Sequence, residues 1–224
     1  AFVIPYTVYT MYADSEIIRK NYDAMQRYFR FLLSSCTGLL RPDHGYGDWL
    51  SVGEDTPKDV LATAFFAYDA KLMAEMAHVL GRTEDSNYYA DMFEKIRSAW
   101  LNAYADNQMK LKGDTQCCYV LALKMELCDK EKRAQLAKHL VRTIKRKNYH
   151  LSTGFVGVSY LLPVLCDVGY ADIAYRLLLN KTYPSWGYSI ENGATTIWER
   201  WNSYTKENGF GDVGMNSFNH YSCL

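Results

Sequence analysis

The chain has 224 residues, of which 49% are hydrophobic and 22% charged, a composition that buries a core and excludes a disordered polymer. Its 25 basic and 25 acidic side chains cancel (25 − 25 = 0), which argues against a basic nucleic-acid face and a polybasic membrane surface. Aromatic residues reach 15%, with 19 Tyr, 9 Phe and 5 Trp, and rings of this kind build either cores or clefts that stack on sugars.

The predicted elements are helices almost throughout. Asp14 or Ser15 caps a helix from Glu16, on which Ile18, Tyr22, Met25, Phe29 and Leu32 form one apolar stripe, with Gly38 beyond its end. Thr56 and Pro57 open a second helix, Thr as N-cap and Pro at the first helical position, that runs to Leu80 and stops at Gly81. Thr83 opens a third, to Tyr104, burying Tyr89, Phe93, Ile96 and Trp100. Asp114 opens a fourth, apolar nearly all round and so predicted to be buried. Asp129 caps a fifth with Leu136, Leu140 and Ile144 inward, and its basic end, Lys145 to Lys147, complements the helix dipole. A sixth covers residues 155–166 with Pro163 as a kink, and a seventh covers 171–179. From Asn180 the helical period fades, and strand signals are nearly absent.

No apolar run reaches the ~18 residues of a membrane span. The N-terminus has neither a basic lead nor a cleavage site of small residues, and it starts inside an apolar stretch, as a mature form or a fragment would. Cys117 and Cys118 are adjacent; Cys36, Cys128, Cys166 and Cys223 are scattered, without zinc-site spacing, and are read as free buried thiols. No metal and no cofactor is expected. Asn180-Lys-Thr fits the glycosylation sequon, a tripeptide that chance supplies often.

The pattern gives one all-α domain over residues 1–224, whose helical hairpins can form a bundle, a solenoid or an α/α toroid. Two connections are long, 37–56 and 180–195, and long loops in compact domains tend to carry function. In the first, Asp48 and Trp49 either cap local backbone beside a core indole or hold a sugar. In GATTIWERW (residues 193–201), Thr195 or Thr196 is placed to cap a short helix with Glu199 in the capping-box position. The alternative for Glu199 is a general base walled by Trp198 and Trp201. Glu191 is its rival, and His220 is either structural or a ligand contact.

In order and spacing, GYGDWL, TPKDVLATAFFAYDAKLMAEMAHVLGR, DTQCCYVLAL, HLSTGFVGVSYLLPVL, YPSWGYSIENGATTIWERW and SFNHYS resemble the family-78 bacterial α-L-rhamnosidases. The resemblance covers residues 2–224, and STGF…YLLPVL and GATTIWERW are its most specific parts. It implies an incomplete (α/α)6 barrel and hydrolysis of terminal α-L-rhamnosides with inversion. It assigns Glu199 as the base, Trp49 to the sugar pocket and His220 to a sugar contact. Asp48, Trp186 and Trp198 complete the expected substrate-binding set. The expected partner is a rhamnose-containing saccharide, with no nucleic acid and no membrane. The compartment, bacterial cytoplasm or periplasm and beyond, stays open without the native N-terminus.

The family's general acid lies in an acidic motif before GDWL, and nothing like it precedes Gly45. The implied chain is therefore the later part of a catalytic domain, inactive alone, with an apolar face uncovered where barrel helices are missing. An inverting hydrolase needs two carboxylates roughly 6.5–9.5 Å apart. The rival readings are a non-catalytic sugar-binding barrel or another α/α-barrel glycosidase. A lyase is disfavoured because the loops offer mainly Arg41, Arg200 and Lys206 as cations.

Overall fold

In the computed structural model, which describes residues 1–220, helices dominate and the described strands form one two-stranded sheet. Cys223 lies outside the described residues. Two compact units are present, residues 1–44 with 59–104, and residues 45–58 with 105–224.

The first unit holds α1 (Val3–Tyr12), α2 (Glu16–Ser34), α3 (Lys58–Val79) and α4 (Thr83–Tyr104). The α2 stripe is buried at all five expected positions. Phe29 lies between α3 and α4, with ring centroids 5.1 Å from both Phe66 and Tyr89. The Trp100 indole donates to the Val60 carbonyl at 2.9 Å, which settles the polar atom of the largest fully buried side chain. Helix α1 was not expected from the sequence: its apolar residues surround it instead of recurring on one face, and Ile4, Met11 and Tyr12 stay exposed.

The second unit is built on α5 (Gln116–Lys124), every residue of which is buried from Gln116 to Leu123. Helices α6 (Lys130–Arg146) and α7 (Phe155–Asp167) pack against α5, and α8 (Ala171–Leu178) packs against α7. The N-cap of α5 is Thr115, not Asp114: its hydroxyl accepts from the Cys118 amide at 3.3 Å. Asp114 sits at positive φ, and its carboxylate takes the Tyr119 hydroxyl, Arg142 and Arg146 instead.

A short α9 (Trp186–Glu191) interrupts the connection expected to be irregular, with Ser185 accepting from the Tyr188 amide at 3.0 Å as N-cap. One turn and a half is too short to display a period, so only the serine cap signalled it. Beyond it, β1 (Tyr204–Thr205) and β2 (Gly209–Phe210) pair antiparallel. Cys117, Cys118 and Cys128 are buried free thiols, but Cys36 is half-buried and Cys166 exposed, which corrects the expectation that all are buried. Burial pushes the Cys118 thiol up to about 11 and the Cys117 thiol well above its ordinary value, so both are packing residues. Among the described residues, no helix is long and apolar enough to cross a membrane.

Candidate functional site

The N-terminus of α7 is the point on which the second unit converges. The first amides of a helix have no partner within it. Here Asp48 supplies one: its Oδ2 accepts from Gly154 at 2.8 Å, and its Oδ1 accepts from Val156 at 2.9 Å and Gly157 at 3.0 Å. An anion at this end also meets the positive pole of the helix. Burial pushes the Asp48 carboxyl up, while those amides and the Cys117 thiol draw it partly back. The capping reading thus applies to Asp48, but the backbone it caps is distant in sequence. Both of its oxygens are occupied inside the protein.

The next residue is tied to the same place. The Trp49 carbonyl accepts from the Phe155 amide at 2.9 Å, and the Trp49 ring stands edge to face with Tyr46. The two loops approach so closely that a Cβ at residue 154 would collide with the Trp49 and Asp48 carbonyl oxygens and with the Ser51 nitrogen, so glycine is required there for space. Glu54 fastens the far end of the loop, accepting from Ser152 Oγ at 2.7 Å and from Arg146 at 3.0 Å.

Phe155 also reaches His220. Their rings stack at 5.2 Å with planes 21° apart. The His220 amide donates to the Ile197 carbonyl at 2.8 Å. Two residues on, Glu199 donates its amide to the Ser217 carbonyl at 2.9 Å and accepts from the Ser217 amide through Oε2 at 2.8 Å. Trp49, His220 and the Glu199 segment are therefore brought to the start of α7 through Phe155 and Ile197.

Glu199 is not on a helix. Residues 194–201 run through bends and turns, contrary to the capping-box expectation. The reason is tertiary: segment 196–199 pairs with 217–220, and the Thr196 hydroxyl donates to the Phe218 carbonyl rather than capping a helix. The Trp201 indole is buried and donates to the Thr153 carbonyl at 2.9 Å, which pins the end of the segment to the residues before α7.

Trp186 and Trp198 come together elsewhere. With Trp201, Arg200, Thr195 and Thr196 they line a pocket of about 360 Å³ to which Glu199, His220 and Trp49 do not contribute. Glu191 is exposed and paired with Lys181 at 2.6 Å, an arrangement that holds its carboxyl below the usual range. Asn180 turns its amide into the fold, donating to the Tyr149 carbonyl at 3.0 Å. Among the described residues, no cluster of three or more His, Cys, Asp or Glu is placed to hold a metal.

Thr153, Gly154 and Phe155 lie in the STGF motif but are not among the site residues that the sequence suggests. A Ser-Thr-Gly run before an apolar stretch marks a helix start. What that start would receive, a remote carboxylate and a histidine ring, has no local signal.

The sequence matches the family described as the bacterial alpha-L-rhamnosidase 6 hairpin glycosidase domain over residues 1–223. It is 48% identical over 219 residues to an alpha-L-rhamnosidase of Streptomyces avermitilis, covering 98% of this chain and 21% of that protein. It is 39% identical to an alpha-L-rhamnosidase of Formosa agariphila, covering 98% and 25%. Among solved structures, the S. avermitilis alpha-L-rhamnosidase complexed with L-rhamnose superposes with a TM-score of 0.96 at 48% identity, over 99% of this chain and 21% of that one. The chain thus spans about a fifth to a quarter of the length of these curated relatives.

Proposed function

As the chain belongs to the bacterial α-L-rhamnosidase six-hairpin glycosidase family, we propose that within its full-length protein it provides the general base and part of the sugar site for hydrolysis of terminal α-L-rhamnosides. The observation that carries this reading is the double tie between Glu199 and Ser217, 2.9 Å through the backbone and 2.8 Å to Oε2, in the segment that bonds His220. A base must be held at a fixed place to take a proton from water. An amide that donates to one carboxylate oxygen fixes the group in place. Similarity to a relative complexed with L-rhamnose supports rhamnose as the sugar.

In this mechanism Glu199 removes a proton from a water lying on the face of the sugar opposite the leaving group. The water oxygen bonds to the anomeric carbon as the glycosidic bond breaks. The leaving oxygen takes a proton from a general acid elsewhere in the longer chain, and the product has inverted configuration. His220, braced on Phe155, and Trp49, held at the mouth of the same loop, contact the sugar. Asp48 holds the Trp49 loop on α7 rather than binding a sugar hydroxyl, because three amides already occupy its oxygens.

The test is Glu199→Gln in the full-length protein, assayed on an aryl α-L-rhamnoside. Glutamine keeps an acceptor for the Ser217 amide, so the fold should persist while turnover falls by roughly two to four powers of ten. Glu191→Gln should leave turnover near that of the parent. Near-parental turnover in the Glu199 variant would remove it as the base.

A further inference from the structure

The pocket between α8, α9 and residues 194–201 has no role in the mechanism above. Trp198 and Arg200 line it while the residue between them does not, and Ser217 and His220 are also absent from it. It lies beside the place where the Glu199 carboxylate meets Ser217 and does not include it, sharing Thr196 and Ile197 with the segment that pairs with residues 217–220. Three of the five tryptophans form its walls, and Trp186 meets Trp201 edge to face at 5.2 Å. Arg200 Nε is shut off from solvent and has no hydrogen-bond partner. A buried N–H is ordinarily paired. Nε itself is out of a ligand's reach, but Arg200 lines the pocket, and a guanidinium at an aromatic wall suits an oxygen brought by a ligand.

We infer that this pocket is a second saccharide subsite, holding a sugar unit of the substrate other than the rhamnose that is cleaved. A pyranose offers an apolar C–H face for an indole and hydroxyl oxygens for a guanidinium, Thr195 and Ser189. The volume of about 360 Å³ suits one small ring and falls at the lower end of the roughly 300–1,000 Å³ of ligand sites. Ile190, at the pocket's edge, is 66% exposed, so the mouth is open to a ligand from solvent. The inference rests on the rhamnosidase reading for the identity of the substrate, not for the shape of the pocket.

The experiment uses the full-length protein and two substrates, an aryl α-L-rhamnoside and a rhamnose-capped trisaccharide. Thr195→Trp fills the pocket, and Ile190→Glu places a charge at its mouth. Both variants should raise KM for the trisaccharide roughly five- to tenfold, the loss expected for one aromatic contact. The trisaccharide kcat and both constants for the aryl rhamnoside should stay unchanged. An equal change on both substrates, or none, overturns the subsite. A fall in melting temperature without a KM shift also overturns it, because another segment of the longer protein then occupies the pocket. If the parent protein cleaves neither substrate, the rhamnosidase reading fails instead. Calorimetric titration with the trisaccharide then decides the pocket: binding lost in both variants supports it, and binding unchanged in them rejects it.

Discussion

The start of α7 and the segment at residues 194–201 are both built around a carboxylate and backbone amides, yet they are held in opposite ways. At α7 a regular helix presents unpaired amides, and Asp48 arrives from another loop to take three of them. At 194–201 no helix forms, and Glu199 takes an amide from the irregular stretch at 217–220 while its own amide bonds back. The first arrangement uses up its carboxylate in holding structure. The second leaves Glu199 in a short paired segment, where it is positioned without being sunk into a helix end. A buried, fully satisfied carboxylate suits an anchor, and one fixed by a paired segment suits proton transfer.

The most severe way to break this contrast is to push the two loops apart at the anchor. Gly154→Ala introduces a methyl group directly against the Trp49 and Asp48 carbonyl oxygens, which are backbone atoms and cannot rotate away. We expect a loss of more than ~3 kcal/mol, or failure to accumulate as folded protein, as for other severe steric mutations. Thermal unfolding of the full-length protein and hydrogen exchange at the Val156 and Gly157 amides would measure it. A variant with parental stability and parental exchange would show that the anchor is not tightly packed.

The same contrast explains what was legible in the sequence. The α2 stripe, the all-round apolar α5 and the span of α4 were readable because each expresses a period or a lack of one within its own residues. The sequence signal at Thr196 and Glu199 was also genuine, a threonine followed three residues later by glutamate, and it misled. Pairing with residues 217–220 supplies partners for the Ile197 carbonyl and the Glu199 amide that a helix turn would otherwise supply. Asp48 shows the converse. Its position in a glycine-rich loop says that its backbone turns, but the amides that it binds belong to Gly154 and the first turn of α7, 106 to 109 residues later. Local propensity has no access to such a partner. The gathering of Trp186, Trp198 and Trp201 around one pocket is likewise a product of tertiary folding.

A smaller effect sharpens the point at residue 196. In a helix N-cap, aspartate is at least as good as threonine. In the observed arrangement the Thr196 hydroxyl donates to the Phe218 carbonyl, and a carboxylate cannot donate. Thr196→Asp should therefore weaken the pairing by about 1 kcal/mol, seen as faster hydrogen exchange at the His220 amide. Slower exchange there would restore the helix-cap reading of this segment.

The least effect concerns how far the anchor depends on ionised carboxylates beyond Asp48. Asp114 accepts from the Tyr119 hydroxyl at 2.6 Å and pairs with Arg142 and Arg146, and Arg146 continues to Glu54, which holds Ser152 just before α7. Partial burial pushes the Asp114 carboxyl up, but the tyrosine hydroxyl and the two guanidinium groups outweigh it and hold it below its ordinary 3.8. A carboxyl whose folded value is depressed contributes stability that is complete above its ordinary value. That contribution is lost as pH falls through the ordinary value toward the lowered one. Both arginines are about half exposed, so the contribution is modest, roughly 0.5 kcal/mol. Comparison of the full-length protein with its Asp114→Asn variant should therefore show a gap in melting temperature at pH 7 that closes as pH falls through 3.8 toward the lowered value. Hydrogen exchange at the Ser152 amide should respond in the same direction, while exchange at the Glu199 amide, bonded to the Ser217 carbonyl, should not separate the two proteins at either pH. A melting gap that persists unchanged into acid would mean that asparagine fails there through shape and not through charge, and the ionic chain from Asp114 to Ser152 would no longer account for the anchor's hold on the Trp49 loop.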